Sequence, residues 1–354
     1  MSVYSQMKIF HYQDKLKSLP ESVNKILPPI HIRIKPTNFC AHHCSYCAYQ
    51  APELELGSEM SERDSLPREK MMEIVDDMDS MGVRAVTFSG GGDPFYYQHL
   101  AETVRKLSAT SVNFAALTNG ARLKGELAEL FASGGSWIRI SIDGWDDKSY
   151  SEYRNIKEGE FTAVMDNIAA FSKLSGSCHL GAVIVVDKKN ADHVYELVSS
   201  LRNAGADSVK ISPCIVSNDG RKNNEYHQPV FNKVKSAAKR AIEQFSGPEF
   251  EIYDSYHLLD TKFTKNYTWC ANMQVLPVIG ADQNVYSCHD KAYTQSGLLG
   301  SIKDMGFAEF WLADKSKFFT IDPSVHCNHH CVENNKNKLT LDYLGTDINH
   351  LAFV

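Results

Sequence analysis

The chain lacks an excess of basic residues, any long apolar run, and any repeated or compositionally simple tract. Its 37 Lys and Arg stand against 43 Asp and Glu, a formal net charge of −6. That balance is wrong for neutralising a phosphate backbone, so nucleic acid is not an expected partner. No stretch approaches the roughly 18 apolar residues of a membrane span, and the opening MSVYSQMKIFHYQDKLK has no continuous apolar centre of signal-peptide type. A soluble, cytoplasmic chain with no membrane partner is expected. What is present is 354 residues, 43% of them hydrophobic, enough for one large domain and a smaller one.

Nine cysteines in a reducing compartment need an explanation other than disulfides. Cys40, Cys44 and Cys47 crowd together, Cys178 and Cys214 stand alone, and Cys270, Cys288, Cys327 and Cys331 share the last quarter. Three thiols spaced C-x3-C-x2-C on one loop can converge on a single metal centre. A structural zinc with His42 or His43 as fourth ligand is the competing reading.

Ile30, Ile32 and Ile34 alternate with His31, Arg33 and Lys35, a strand signal that ends just before the first cysteines. Strand patterns recur at Ala85 to Ser89, Val112 to Leu117, Trp137 to Ile142, Leu180 to Val186 and Ser208 to Ser212. Helical spacing falls between them, as in Arg68 to Met81 and Asn190 to Ala204. Six strand–helix units imply parallel pairing, either in an open sheet or in a full or partial barrel, with the chemistry at the carboxyl ends of the strands. The polar stretch Asn218 to Gln228 reads as a boundary loop, followed by a helix from about Pro229 to Phe245 and an extended segment around Phe250 to Tyr253. Gln274 to Ile279, GADQN and Val285 to Cys288 predict a hairpin. The acidic run Glu53 to Asp64 reads as a mobile loop with solvated charges.

FCAHHCSYCAYQ, placed after a strand, resembles the signature of the radical S-adenosylmethionine superfamily. The resemblance implies that Cys40, Cys44 and Cys47 ligate a [4Fe-4S] cluster with one open iron. That iron chelates S-adenosylmethionine and cleaves it to a 5'-deoxyadenosyl radical. Tyr46 would then lie near the adenine, with His42 and His43 as plain loop residues. SGGGDP resembles the family's GGEP-type motif with Asp93 in place of Glu, which implies Ser89, Gly90, Gly91, Gly92 and Asp93 beside the methionine ammonium group. Thr118, Asn119, Gly120, Ser141 and Asp143 end later strands and could meet ribose or methionine. Arg154 resembles the arginine that pairs with the methionine carboxylate, its alternative being a surface salt bridge; Val183 to Val185 is an adenine wall or plain core.

The implied fold is α/β: a partial (β/α)6 TIM-like barrel followed by a small α+β twitch-like iron–sulfur domain. Its expected boundaries are an extension at 1–29, the barrel at 30–217, a linker and helix at 218–249, the auxiliary domain at 250–335 and a tail at 336–354. Cys270, Cys288, Cys327 and Cys331 would hold a second [4Fe-4S] cluster; zinc, with His326, His329 and His330 near, is the rival. Cys178 is expected to pack, whereas Cys214, after the sixth strand, either packs or donates a hydrogen atom to a substrate radical. Asp290, with His289 and Lys291, is a candidate proton acceptor or a turn residue.

The expected reaction is oxidation or epimerisation of a small polyhydroxylated molecule, a sugar, aminocyclitol or nucleotide sugar, with flavodoxin or ferredoxin as reducing partner. The alternatives are a peptide-modifying maturase and, from another class, a zinc-binding scaffold without catalysis.

Overall fold

The computed structural model describes residues 4–51, 53–256 and 265–353. Seven strands run parallel in chain order: β1 (His31–Ile34), β2 (Ala85–Phe88), β3 (Asn113–Thr118), β4 (Trp137–Ile142), β5 (His179–Val186), β6 (Ser208–Pro213) and β7 (Glu251–Asp254). Helices such as Arg68–Met81, Leu100–Leu107, Glu160–Phe171 and Val194–Asn203 link them. The sheet is an open, partial barrel. Beyond β1 it continues through β8 (Val278–Ile279), parallel to β1, and then through antiparallel β9 (Asn284–Tyr286) and β10 (Leu298–Ser301).

The period-two pattern explains this layering. Ile32, Ile34, Val86, Phe88, Ile138, Ile140, Ile142, Ile184 and Ile211 are wholly buried in the main core. The residues between them, including Arg33, Lys35, Thr87, Arg139 and Ser141, are left to the inner face of the curved sheet. Helix Arg68–Met81 has the predicted bounds, because Gly82 takes the left-handed conformation (φ 77°) that closes a helix end. Helix Asp147–Arg154 starts at a capping box in which Asp146 accepts from the Ser149 N–H and the Ser149 hydroxyl accepts from the Asp146 N–H.

The structure adds to or departs from the expectations in four places. Asn218 to Gln228 is not a loop, since Gly220–His227 is helical. Its buried face is polar: Asn223 bonds the backbone at Val216, Ser217 and Asp219, so no apolar stripe betrays the helix. The extended segment after Phe250 is β7, a parallel strand that pairs with β6 and follows the six strand–helix units. The hairpin forms as predicted but joins β1 in the same sheet. The acidic run is docked: Gly57 and Glu59 donate from their backbone to Ala292 and Tyr293 (3.2 and 3.0 Å), and Glu55 pairs with Lys291 at 3.0 Å.

Candidate active site at the carboxyl ends of the strands

The loop after β1 carries Cys40, Cys44 and Cys47 over the mouth of the sheet, and backbone bonds fix both its ends. His43 and Ser45 donate to the carbonyls of Arg154 and Tyr153 (2.9 and 2.8 Å), while Gly92 and Asp93 donate to Thr37 and Phe39 (3.1 and 3.0 Å). The glycine run is explained by close approach. A Cβ on Gly92 would lie 2.0 Å from the Phe39 carbonyl oxygen, and one on Gly91 would lie 2.1 Å from Asn38 Oδ1.

Beneath the loop lies a buried polar cluster. Arg154, 1% exposed, donates through Nε to Asp143 (3.2 Å), through Nη2 to the Ser141 carbonyl (2.6 Å) and Tyr46 hydroxyl (3.4 Å), and through Nη1 to His42 Nδ1 (3.2 Å). Its guanidinium lies 4.4 Å from the centre of the Tyr150 ring. Tyr46 donates its hydroxyl to Asp143. The surface salt bridge considered for Arg154 is therefore a buried one. His42, expected to be a plain loop residue, is instead 3% exposed. Because Nδ1 accepts from Arg154, Nε2 carries the proton and donates to Glu160 (3.0 Å). Burial, and then the Arg154 charge, push the His42 imidazole down to about 4.

Asp93 is 4% exposed and its carboxylate is filled by internal donors: Phe95 N–H (2.9 Å), Thr118 Oγ1 (2.9 Å) and Asn119 N–H (2.6 Å). It ties the end of β2 to the end of β3. Asn119 in turn points its amide at Cys40 Sγ (3.8 Å). Ser89 differs from these residues, because its buried hydroxyl has no hydrogen-bond partner. An unpartnered buried hydroxyl at the head of the glycine cradle fits a polar ligand held at this point.

Burial pushes the thiols of Cys40 and Cys44 up to about 11 and about 12 and raises that of Cys47. Metal binding here would displace protons. Cys270, Cys288, Cys327 and Cys331 repel one another's charged forms and are likewise raised, burial being the largest cause. A tetrahedral zinc would draw its sulfurs to about 3.8 Å from one another. Among the described residues, the one group of three or more metal-type donors all within 4.8 Å is Asp290, His329 and Cys331. Neither set brings three of its thiols within that distance of one another, whereas Cys331 of the second set converges with Asp290 and His329.

Lys35 lies on the inner face at the end of β1 and was not singled out from the sequence. It is 1% exposed and donates to the Tyr49 hydroxyl and the Gly90 carbonyl. Burial holds its amine well below the usual value, with the Arg33 charge adding to the effect. The available signal was the alternation of β1, whose polar half has nowhere to point but the lumen. Cys214 is buried, with Sγ 3.9 Å from His227 Nε2, and burial pushes its thiol up to about 12. Cys178 is half-buried against the core. Asp290 is ion-paired to His289 (2.9 Å) and His329 (3.7 Å); burial opposes its charge, yet those imidazoles hold it below the usual carboxylate range.

An open α/β barrel with a three-thiol loop at the carboxyl end of its first strand defines a class of metal-dependent cofactor-binding domains. Residues 34–200 match the family described as the Radical SAM superfamily, so this segment is a radical SAM domain. Over 142 residues the chain is 26% identical to a GTP 3',8-cyclase of Aeromonas hydrophila, a match covering 40% of this chain and 41% of that one. An S-adenosylmethionine-dependent nucleotide dehydratase of Lacinutrix mariniflava is 26% identical over 152 residues, 43% of this chain and 28% of its own. The chain thus spans less than half the length of these relatives. The fold is similar to that of Streptococcus suis SuiB bound to S-adenosylmethionine, with TM-score 0.61 and 15% identity over 89% of this chain and 73% of that one. Among the described residues no helix is long and apolar enough to cross a membrane.

Proposed function

We propose that the protein is a radical S-adenosylmethionine enzyme that abstracts hydrogen from a small, polyhydroxylated and phosphate-bearing molecule of the nucleotide or nucleotide-sugar kind. The observation that carries this reading is the unpartnered Ser89 hydroxyl, set with the glycine cradle beside Cys40, Cys44 and Cys47. The relatives' names, a GTP cyclase and a nucleotide dehydratase, favour a nucleotide over an aminocyclitol. When bound, an iron–sulfur cluster and S-adenosylmethionine supply one-electron cleavage and a carbon radical.

The chain's own residues position these partners. Cys40, Cys44 and Cys47 hold the metal, and the Gly90 to Gly92 backbone and Ser89 face the methionine end. Asp143, Arg154, Tyr46 and His42 form a stiff base for the cysteine loop. Asp93 and Asn119 are positioning residues, since their bonds run to the backbone and to Cys40. Cys214 stays a neutral thiol, the form that carries a hydrogen atom, which suits epimerisation. Asp290 is committed to His289 and His329 and serves the second thiol site, so Lys35, whose amine burial holds well below its usual value, is the better proton acceptor. Cys270, Cys288, Cys327 and Cys331 would hold a second [4Fe-4S] cluster, which would supply an electron acceptor where the outcome is oxidation in place of epimerisation; flavodoxin or ferredoxin would be the reducing partner.

The test is anaerobic reconstitution followed by iron and zinc analysis of the wild type and of a variant with Cys40, Cys44 and Cys47 changed to Ala. About eight irons falling to about four, with 5'-deoxyadenosine formed only by the wild type, supports both clusters. Zinc in place of iron sinks the radical mechanism. About four irons lost entirely in the variant removes the second cluster.

A further inference from the structure

At the opposite, amino-terminal end of the barrel lies a cavity of about 450 Å³, well within the size range of small-ligand sites. The starts of β1 to β4 wall it, and residues of the amino-terminal segment and of helix Asn334–Leu344 close it. We propose that this cavity is a binding chamber for a phosphate-type oxyanion, received by the guanidinium groups of Arg33 and Arg139.

The charge inventory is one-sided. Lys8, Arg33, Arg84, Arg139 and Lys336 line the cavity with a single carboxylate, Glu333, and that one is already 2.9 Å from Lys336. In a chain of net charge −6, so many cations around one enclosed space is a local inversion. Arg33 Nε and Arg139 Nε are both buried without a hydrogen-bond partner. Leaving a buried donor unmade is costly, and two on one cavity wall call for an acceptor. Arg139 is held by aromatic rings, 5.1 Å from the centres of both Tyr4 and Trp137, which orient its fork without neutralising it. The surroundings register the cationic field, against which Glu251 acts on Lys8 and Asp290 on Arg33. Burial, and then Arg33, Lys336 and Lys8, push His31 down to about 3, and burial with Lys336 and Arg139 lowers Lys8. Two guanidinium groups lining one cationic cavity match a multiply charged tetrahedral oxyanion.

The chamber deepens the reading above by giving a substrate's phosphate a place at the foot of the lumen. Its test needs neither iron nor S-adenosylmethionine, so either idea can fail alone. Pyrophosphate and inorganic phosphate are titrated calorimetrically into the full-length wild type, Arg33→Gln, Arg139→Gln and the exposed control Arg105→Gln. The expected result is one site in the wild type and control, weakened about tenfold or more in the two cavity variants. Without anion, those two variants should melt no lower than the wild type, since like-charge repulsion is relieved; this shows that they fold. A nucleoside diphosphate that competes with pyrophosphate identifies the anion as a substrate's tail, and binding without competition identifies a free anion; both uphold the chamber. No binding to the wild type, or equal affinity in all four proteins, overturns it.

Discussion

Arg154→Met offers the sharpest test of the base beneath the cysteine loop. The substitution keeps much of the stem but deletes the charge, leaving Asp143, wholly buried, with only the Tyr46 hydroxyl and the Gly144 N–H. Breaking a buried ion pair costs about 3–5 kcal/mol, because the surviving charge is left uncompensated. The Ser141 carbonyl and His42 Nδ1 also lose their donor, so the upper half of that range is expected. Against a total stability of about 5–15 kcal/mol this is a large fraction. Urea unfolding followed by circular dichroism should show a lower midpoint with an unchanged slope. The double variant Arg154→Met with Asp143→Asn should be less destabilised than the sum of the single changes, by about 1–3 kcal/mol. A loss under about 1 kcal/mol, the size of an exposed pair, or strict additivity, would refute the reasoning.

Gly92→Ala should cost about 1–3 kcal/mol and lower iron retention, because its Cβ would meet the Phe39 backbone, which cannot step aside; iron per chain after desalting checks this. Asp93→Asn should lower the melting temperature through a loss of about 1–3 kcal/mol, since the amide NH₂ would face the N–H groups that the carboxylate now accepts. Asp146→Ala should cost about 1 kcal/mol by removing the cap of the helix that carries Arg154, read as a shift in urea midpoint. Stability should also fall with pH through His31. Its folded value is depressed from 6.5 to about 3, so the unfolded chain takes the proton first. The contribution is intact above about 6.5 and declines as pH drops toward about 3, by at most about 2 kcal/mol at pH 5. His31→Gln should flatten the slope of urea midpoint against pH between 7.5 and 5, and an unchanged slope counts against it.

The parallel strands were legible because apolar residues recur at period two on a face that helices must cover, and β4 carries its predicted bounds, Trp137–Ile142. The three-thiol loop was legible as a unit because thiol spacing is local. Helix Gly220–His227 was hidden, since its buried contacts come from Asn223 and His227 instead of an apolar stripe. His42 and Lys35 were passed over for a related reason. Their roles depend on partners at Glu160, Arg154, Tyr49 and Gly90, and one chain read alone does not say which distant residues the sheet will bring beside them.

The continuity of the sheet has a mechanical meaning. β1 leads into the first thiol loop and β8–β9 into Cys288, and the two are laced together by the pairing of Arg33 with Val278 and Ile34 with Ile279. The spacing between the two thiol sites is thus gauged by a backbone ladder. Shifting β8 by one residue would slide Cys288 about 3.3 Å along the strand and turn the side chains of β8 to the opposite face. Loops around the mouth can lengthen or change sequence to suit another substrate while that gauge stays constant.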